Sequence, residues 1–140
     1  MRPVRWAVIV VALGTQPLET QPLLAQDSEI LGTWRGTSIC VKEAWNSACN
    51  DEQVIYDFTA VPGRPDSVSL DAQKLVDGKP ESMGTLALGY DAATKAWVAD
   101  WSNARYHLLW TFEVTGRTLT GTLLVLPERR LARHISVRKD

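Results

Sequence analysis

Apolar side chains recur at every second position along most of this 140-residue chain. The longest run, from Tyr106 to Val114, carries an apolar or aromatic side chain at every even-numbered position. A period of two places alternate side chains on opposite faces of a β-strand, whereas an amphipathic helix repeats every 3.6 residues. No comparable helical period occurs after residue 26. The chain is therefore predicted to be all-β.

Seven alternating runs follow one another, and an opening segment from Thr33 to Val41 adds an eighth strand. Turn-forming sequences rich in Gly and Pro, such as residues 62–66 and 77–80, separate the runs. This spacing is typical of a sandwich or an up-and-down barrel, and the short links favour neighbours that pair in chain order. Closure would remove the exposed edges of the sheet. We predict an eight-stranded antiparallel meander barrel over residues 27–140.

Composition limits the partners that this chain can have. Its net charge of −1 gives no general attraction to nucleic acid, so no nucleic-acid partner is expected. No run of 18 or more apolar residues is present, and we expect no membrane-spanning helix. The length suits one globular domain.

The first residues are typical of a secretory signal peptide. Arg2 and Arg5 precede a short apolar stretch over residues 6–14, which is too short for a membrane span. We predict that residues 1–25 are this signal and that cleavage follows Ala25, although cleavage near Gly14 is a second possibility. The protein is then expected in the periplasm or outside the cell. In such an oxidising compartment Cys40 and Cys49 can form a disulfide, and the alternative is two free thiols.

The predicted barrel opens with Gly32-Thr33-Trp34. This sequence resembles the Gly-x-Trp signature at the first strand of lipocalins and their calycin relatives. The resemblance implies a lipocalin-like barrel in which Trp34 plugs the closed end and an arginine of the last strand, here Arg138, covers it. Avidin-type barrels, fatty-acid-binding barrels and small periplasmic metalloprotease-inhibitor barrels are alternatives of similar size.

Strand parity predicts a ligand site at the opposite end of the barrel. Tyr56, Trp101, Tyr106 and Arg133 fall on the inward parity near this mouth. A guanidinium beside aromatic rings is suited to bind a carboxylate or phosphate, although Arg133 could instead extend to water or pair with an internal acid.

The longest predicted loop, residues 42–52, lies at the same end of the barrel. Trp45 is near the tip of this loop, and the predicted disulfide would hold the loop in place. Trp45 is therefore a candidate contact for a ligand or a protein partner. The alternative is that its ring packs on the rim of the barrel.

Catalytic and metal-binding residues are not evident. His107 and His134 are the only histidines, and both fall on the outward parity of their strands. No nucleophile-elbow, zinc-protease or phosphate-loop motif occurs. We expect neither an enzyme nor a metal or cofactor site.

These observations favour an exported barrel that binds a small apolar or amphipathic molecule. The first alternative is a protein-interaction module, such as an inhibitor of a periplasmic protease or hydrolase, that acts through the 42–52 loop. The second is an envelope protein without a specific ligand, because nine aromatic rings could fill the lumen of a barrel of this size.

Overall fold

The computed structural model describes residues 29–41 and 49–140, together with Gly14. The rest of the predicted signal peptide lies outside the described residues, as do residues 42–48 with Trp45. Within the described part, the chain forms eight strands in succession. These strands are β1 (Gly32–Cys40), β2 (Glu52–Val61), β3 (Arg64–Val76), β4 (Lys79–Asp91), β5 (Ala96–Ser102), β6 (His107–Thr115), β7 (Thr118–Val125) and β8 (Arg130–Lys139).

Each strand pairs antiparallel with the next one along the chain, and β1 pairs with β8 to close the sheet. At the closure Trp34 lies opposite Lys139, and Gly36 lies opposite Val137. The prediction of an eight-stranded antiparallel meander barrel is confirmed. Closure gives β1 and β8 the backbone partners that the outer strands of an open sheet lack.

Aromatic side chains form a packed layer across the barrel. Tyr56, Phe58 and Phe112 are at most 3% exposed, and each ring meets the other two edge to face. Their centroids lie between 5.9 and 6.4 Å apart, which is a favourable geometry for aromatic pairs. All three occupy the inward parity of β2 and β6, as the alternation predicts.

Trp34 lies at one end of the barrel and is fully buried. Its indole Nε1 donates a hydrogen bond to the carbonyl oxygen of Ile30 at 2.8 Å. The ammonium group of Lys139 lies 5.5 Å from the centroid of the indole ring, which is a cation–π contact. Lys139 therefore takes the covering position that the lipocalin resemblance predicts for Arg138. Strand parity explains this correction, because Val137 faces inward and Arg138 is exposed.

The β3–β4 hairpin is longer than the sequence predicts. Its turn consists of Asp77 and Gly78, which both have positive φ angles, of 51° and 77°. Two central residues with positive φ are the signature of the tight type I′ hairpin turn. Lys79 and Pro80, which we expected in the turn, therefore belong to β4.

A β-bulge interrupts this hairpin. Ala72 pairs with Gly84 and Gln73 pairs with Ser82, so Met83 is an extra residue in β4. Gly84 has a φ of +109°, a conformation that residues with a Cβ rarely adopt. A bulge bends its strand and redirects the side chains next to it.

Candidate ligand-binding site

A cavity of about 450 Å³ lies between the aromatic layer and the end of the barrel where β3 turns into β4. Strands β2 to β6 contribute its wall, and most of the side chains in the wall are apolar. The wall includes Tyr56, Leu70, Leu86, Trp101, Trp110 and Phe112.

The aromatic rings leave this space open because several of them lie elsewhere. Trp97 and Tyr90 pack against each other with their centroids 5.1 Å apart, away from the cavity wall. Trp101 turns partly toward solvent and is 42% exposed. The rings that could have filled the whole lumen therefore fill only part of it.

One side of the cavity is a continuous aromatic surface. The Trp110 and Phe112 rings are parallel to within 2°, with their centroids 6.3 Å apart. The Tyr56 ring meets Phe112 edge to face at 6.0 Å. Phe112 and Tyr56 are buried in the main core, and Trp110 packs against both apolar clusters, so this surface is already formed before any ligand arrives.

Tyr56 and Thr85 are the two hydroxyl-bearing side chains in this mostly apolar wall. Burial raises the pKa of Tyr56 above its ordinary value, and the nearby Glu52 carboxylate raises it further. Arg133 and a hydrogen bond with the Ser38 side chain act in the opposite direction but are weaker. The phenol is therefore neutral at physiological pH and is suited to form a hydrogen bond.

The Arg133 side chain extends from β8 to Glu52 at the start of β2 and does not line the cavity. One guanidinium nitrogen, Nη1, donates to the Ser38 hydroxyl at 3.0 Å and lies 3.7 Å from the Glu52 carboxylate. The other, Nη2, donates to the carbonyl oxygen of Asn50 at 3.1 Å. Arg133 therefore has an internal acid as a partner, which is the alternative that we considered alongside an anion-binding role.

Tyr106 does not line the cavity. It packs against a second apolar cluster, which includes Leu108, Leu123, Val125 and Ala132. Ala132 belongs to a bulge between β7 and β8 and is fully buried. Of the predicted site residues, the structure brings Tyr56 and Trp101 into one cavity wall and places Tyr106 and Arg133 outside it.

Met83, Gly84 and Thr85 also line the cavity, and the sequence pattern did not identify them as site residues. Met83 was expected in a loop, because the alternating pattern of β4 begins only at Leu86. The one signal in the sequence was Gly84 beside a predicted strand, because an isolated glycine in a strand often marks a bulge.

The described residues contain no group of three or more His, Cys, Asp or Glu side chains that could hold a metal ion. His107 and His134 are exposed, and the His107 ring forms a 2.6 Å contact with the Asp100 carboxylate on the outer surface. Across the same residues, the structure has no helix with the length and apolar character needed to cross a bilayer.

Cys40 and Cys49 form a disulfide near the cavity end of the barrel, with their Cα atoms 6.0 Å apart. The backbone N–H of Cys40 also donates to the Asp51 carboxylate at 2.9 Å. Both contacts tie the end of β1 to the segment that leads into β2.

In comparisons with known proteins, no protein-family model, curated protein or solved structure matches this chain. The resemblance to lipocalins rests on Gly32-Thr33-Trp34 and the barrel alone.

Proposed function

We propose that this protein is a non-catalytic binding barrel that holds one small apolar or amphipathic molecule in the cavity beside Tyr56 and Trp101. The observation that carries the proposal is the cavity itself, which measures about 450 Å³ and has a largely apolar wall. Ligand sites in proteins are typically apolar, preformed and of roughly 300–1,000 Å³.

The wall also suggests the chemistry of the ligand. Among the described residues, no charged side chain lines the cavity. An apolar, ring-containing body would match the aromatic surface of Trp110 and Phe112. The hydroxyl group of Tyr56 could orient one polar atom of the ligand. A charged group on the ligand would be most stable outside the cavity, in water.

Three further observations support an exported, lipocalin-like carrier. The Gly32-Thr33-Trp34 sequence opens an eight-stranded closed barrel, and Trp34 is buried as the lipocalin resemblance implies. The Cys40–Cys49 disulfide is compatible with an oxidising compartment. The signal-like residues 1–25 point to the same compartment.

Two measurements test the proposal. Native mass spectrometry of protein purified from its own host should detect a small bound mass that leaves on mild activation. In a second experiment, the neutral fluorescent probe N-phenylnaphthylamine is titrated into the protein. Ala72→Phe, which adds a ring to the cavity wall, should weaken probe binding about tenfold or more. Ala87→Phe, on the exposed face of β4, is the matched control and should leave binding unchanged.

The proposal fails if the wild-type protein neither carries a small molecule nor binds the probe. It also fails if Ala72→Phe and Ala87→Phe bind the probe equally well, because binding would then take place elsewhere on the surface.

A further inference from the structure

The pairing between β4 and β5 covers only part of these two strands. Three residue pairs join them, from Gly89 opposite Val98 to Asp91 opposite Ala96. By contrast, β5 pairs with β6 through six residue pairs, and β3 follows β4 along nearly its whole length. The ladder between β4 and β5 therefore stops before it reaches the cavity end of the barrel.

If the same register continued, residues 85–88 of β4 would lie opposite residues 99–102 of β5, but no backbone pairs join these segments. We call these two unpaired segments the open seam. Both segments lie wholly within the described part of the chain. The bulge at Met83 and the positive φ of Gly84 bend β4 next to the open seam, which keeps the ladder from continuing.

The cavity lies directly behind the open seam. Thr85 and Leu86 line the cavity from β4, and Trp101 lines it from β5. Met83 and Trp101 are also among the most exposed large apolar side chains of the described residues, at 40% and 42%. Each of these two side chains contacts the cavity on one side and solvent on the other.

The side of the same barrel end that adjoins the cavity at Leu108 is well packed. The second apolar cluster fills the space between β6, β7 and β8. The Arg133 guanidinium links β8 to Ser38 of β1 and to Asn50. A ligand passing on that side would have to break these contacts, whereas one passing at the open seam would disrupt no backbone pairing.

We infer that the ligand enters and leaves the barrel sideways, through the open seam between β4 and β5, and that Met83 and Trp101 control its passage. This inference rests on the proposed function, because it assigns a route to the same cavity. Rotation of these two partly exposed side chains would widen the seam. The exchange rate of the ligand is then set at the seam, while its affinity is set by the aromatic wall.

Closing the open seam covalently tests the inference. In the register of the existing pairs, Ala87 lies opposite Asp100, and both are exposed. The variant Ala87→Cys/Asp100→Cys is treated with a short bifunctional maleimide. The native cysteines do not react, because they form a disulfide. Stopped-flow fluorescence then measures the association and dissociation of N-phenylnaphthylamine.

Cross-linking should slow both association and dissociation of the probe by about tenfold or more, with little change in the dissociation constant. The matched control is Glu113→Cys/Thr120→Cys, an exposed pair across the continuous β6–β7 ladder. The same cross-linker at that position should leave both rates within about twofold of wild type. Equal rates with the seam open and cross-linked would overturn the inference.

A second variant covers the case in which the cross-linked protein fails to fold. Met83→Ala should increase the association rate of the probe by about threefold or more, because it removes a side chain that flanks the seam. Ile39→Ala is the control, since Ile39 is equally exposed, at 41%, but lies on β1. An unchanged association rate in Met83→Ala contradicts lateral passage. If the wild-type protein does not bind the probe at all, the proposed function itself is rejected.

Discussion

Tyr56 belongs to the aromatic layer and also interacts with the polar side chains of Ser38, Glu52 and Arg133. Its ring packs against Phe58 and Phe112, and its hydroxyl group forms a hydrogen bond with the Ser38 side chain. Parity alone identified Tyr56 as an inward residue, because it follows Val54 and precedes Phe58 on β2. Its polar neighbours Ser38 and Arg133 come from β1 and β8, and their approach depends on how the barrel closes.

Alkaline pH should reveal the buried phenol of Tyr56. Its folded-state pKa is raised, mainly by burial, so the unfolded chain loses this proton first. Its contribution to stability is therefore present below about pH 10 and is lost above it, by at most about 1.4 kcal/mol per pH unit. Chemical denaturation at several pH values should show wild type losing more stability than Tyr56→Phe over this range. A constant difference between the two proteins would contradict the assignment.

Arg133 is expected to stabilise the fold through its contacts with Ser38, Asn50 and Glu52. Arg133→Ala should lower the free energy of unfolding by about 2 kcal/mol, because it removes hydrogen bonds from a largely buried charged group. Urea denaturation measures this loss, and the exposed Arg138→Ala is the control.

Ligand binding distinguishes the two roles that we considered for Arg133. If the role of Arg133 is purely structural, Arg133→Ala should change the affinity for acidic ligands and the affinity for neutral ligands by the same factor. A selective loss of affinity for acidic ligands would instead support the anion-binding hypothesis.

The strands were predictable as elements because each one has an apolar face that alternates with a polar one. The β3–β4 bulge was not predictable in this way. An extra residue such as Met83 becomes visible only when the register of both strands is known. The same reason explains why the cavity wall was only partly predicted. Parity shows which side chains point inward, but their position around the barrel depends on register, tilt and closure.

The closure between β1 and β8 depends on a glycine. A Cβ atom at Gly36 would lie 2.1 Å from the carbonyl oxygen of Ser136 and 2.8 Å from the Cα of Val137. Gly36→Ala should therefore destabilise the barrel by about 3 kcal/mol or more, because backbone atoms would have to move. Thermal denaturation followed by circular dichroism measures the effect.

Gly89→Ala is the matched control for the closure. Gly89 also lies in a strand, but a Cβ atom added there, on the outer face of β4, would have no neighbouring atom within 4 Å. Its substitution should change stability by no more than about 0.5–1 kcal/mol. Similar losses of stability in the two variants would show that the close approach of β1 and β8 is not the reason why position 36 requires glycine.

At the scale of the whole molecule, the Cys40–Cys49 disulfide closes a short loop at the cavity end. In the chain-entropy model, a loop of about ten residues contributes roughly 2.5–3 kcal/mol to stability. Cys40→Ser/Cys49→Ser should lose this amount in urea denaturation. Wild-type protein treated with a reductant should match the variant. A variant as stable as the oxidised wild type would show that the cross-link contributes little.

The ring of eight paired strands also has a consequence for chain connectivity. The last residues already touch the beginning of β1, since the backbone N–H of Asp140 donates to the carbonyl oxygen of Thr33 at 3.0 Å. A short linker could therefore join Asp140 to Glu29, and new ends could be cut in the exposed turn after Asp91. Such a circular permutant should fold into the same barrel, because every strand would keep both of its neighbours.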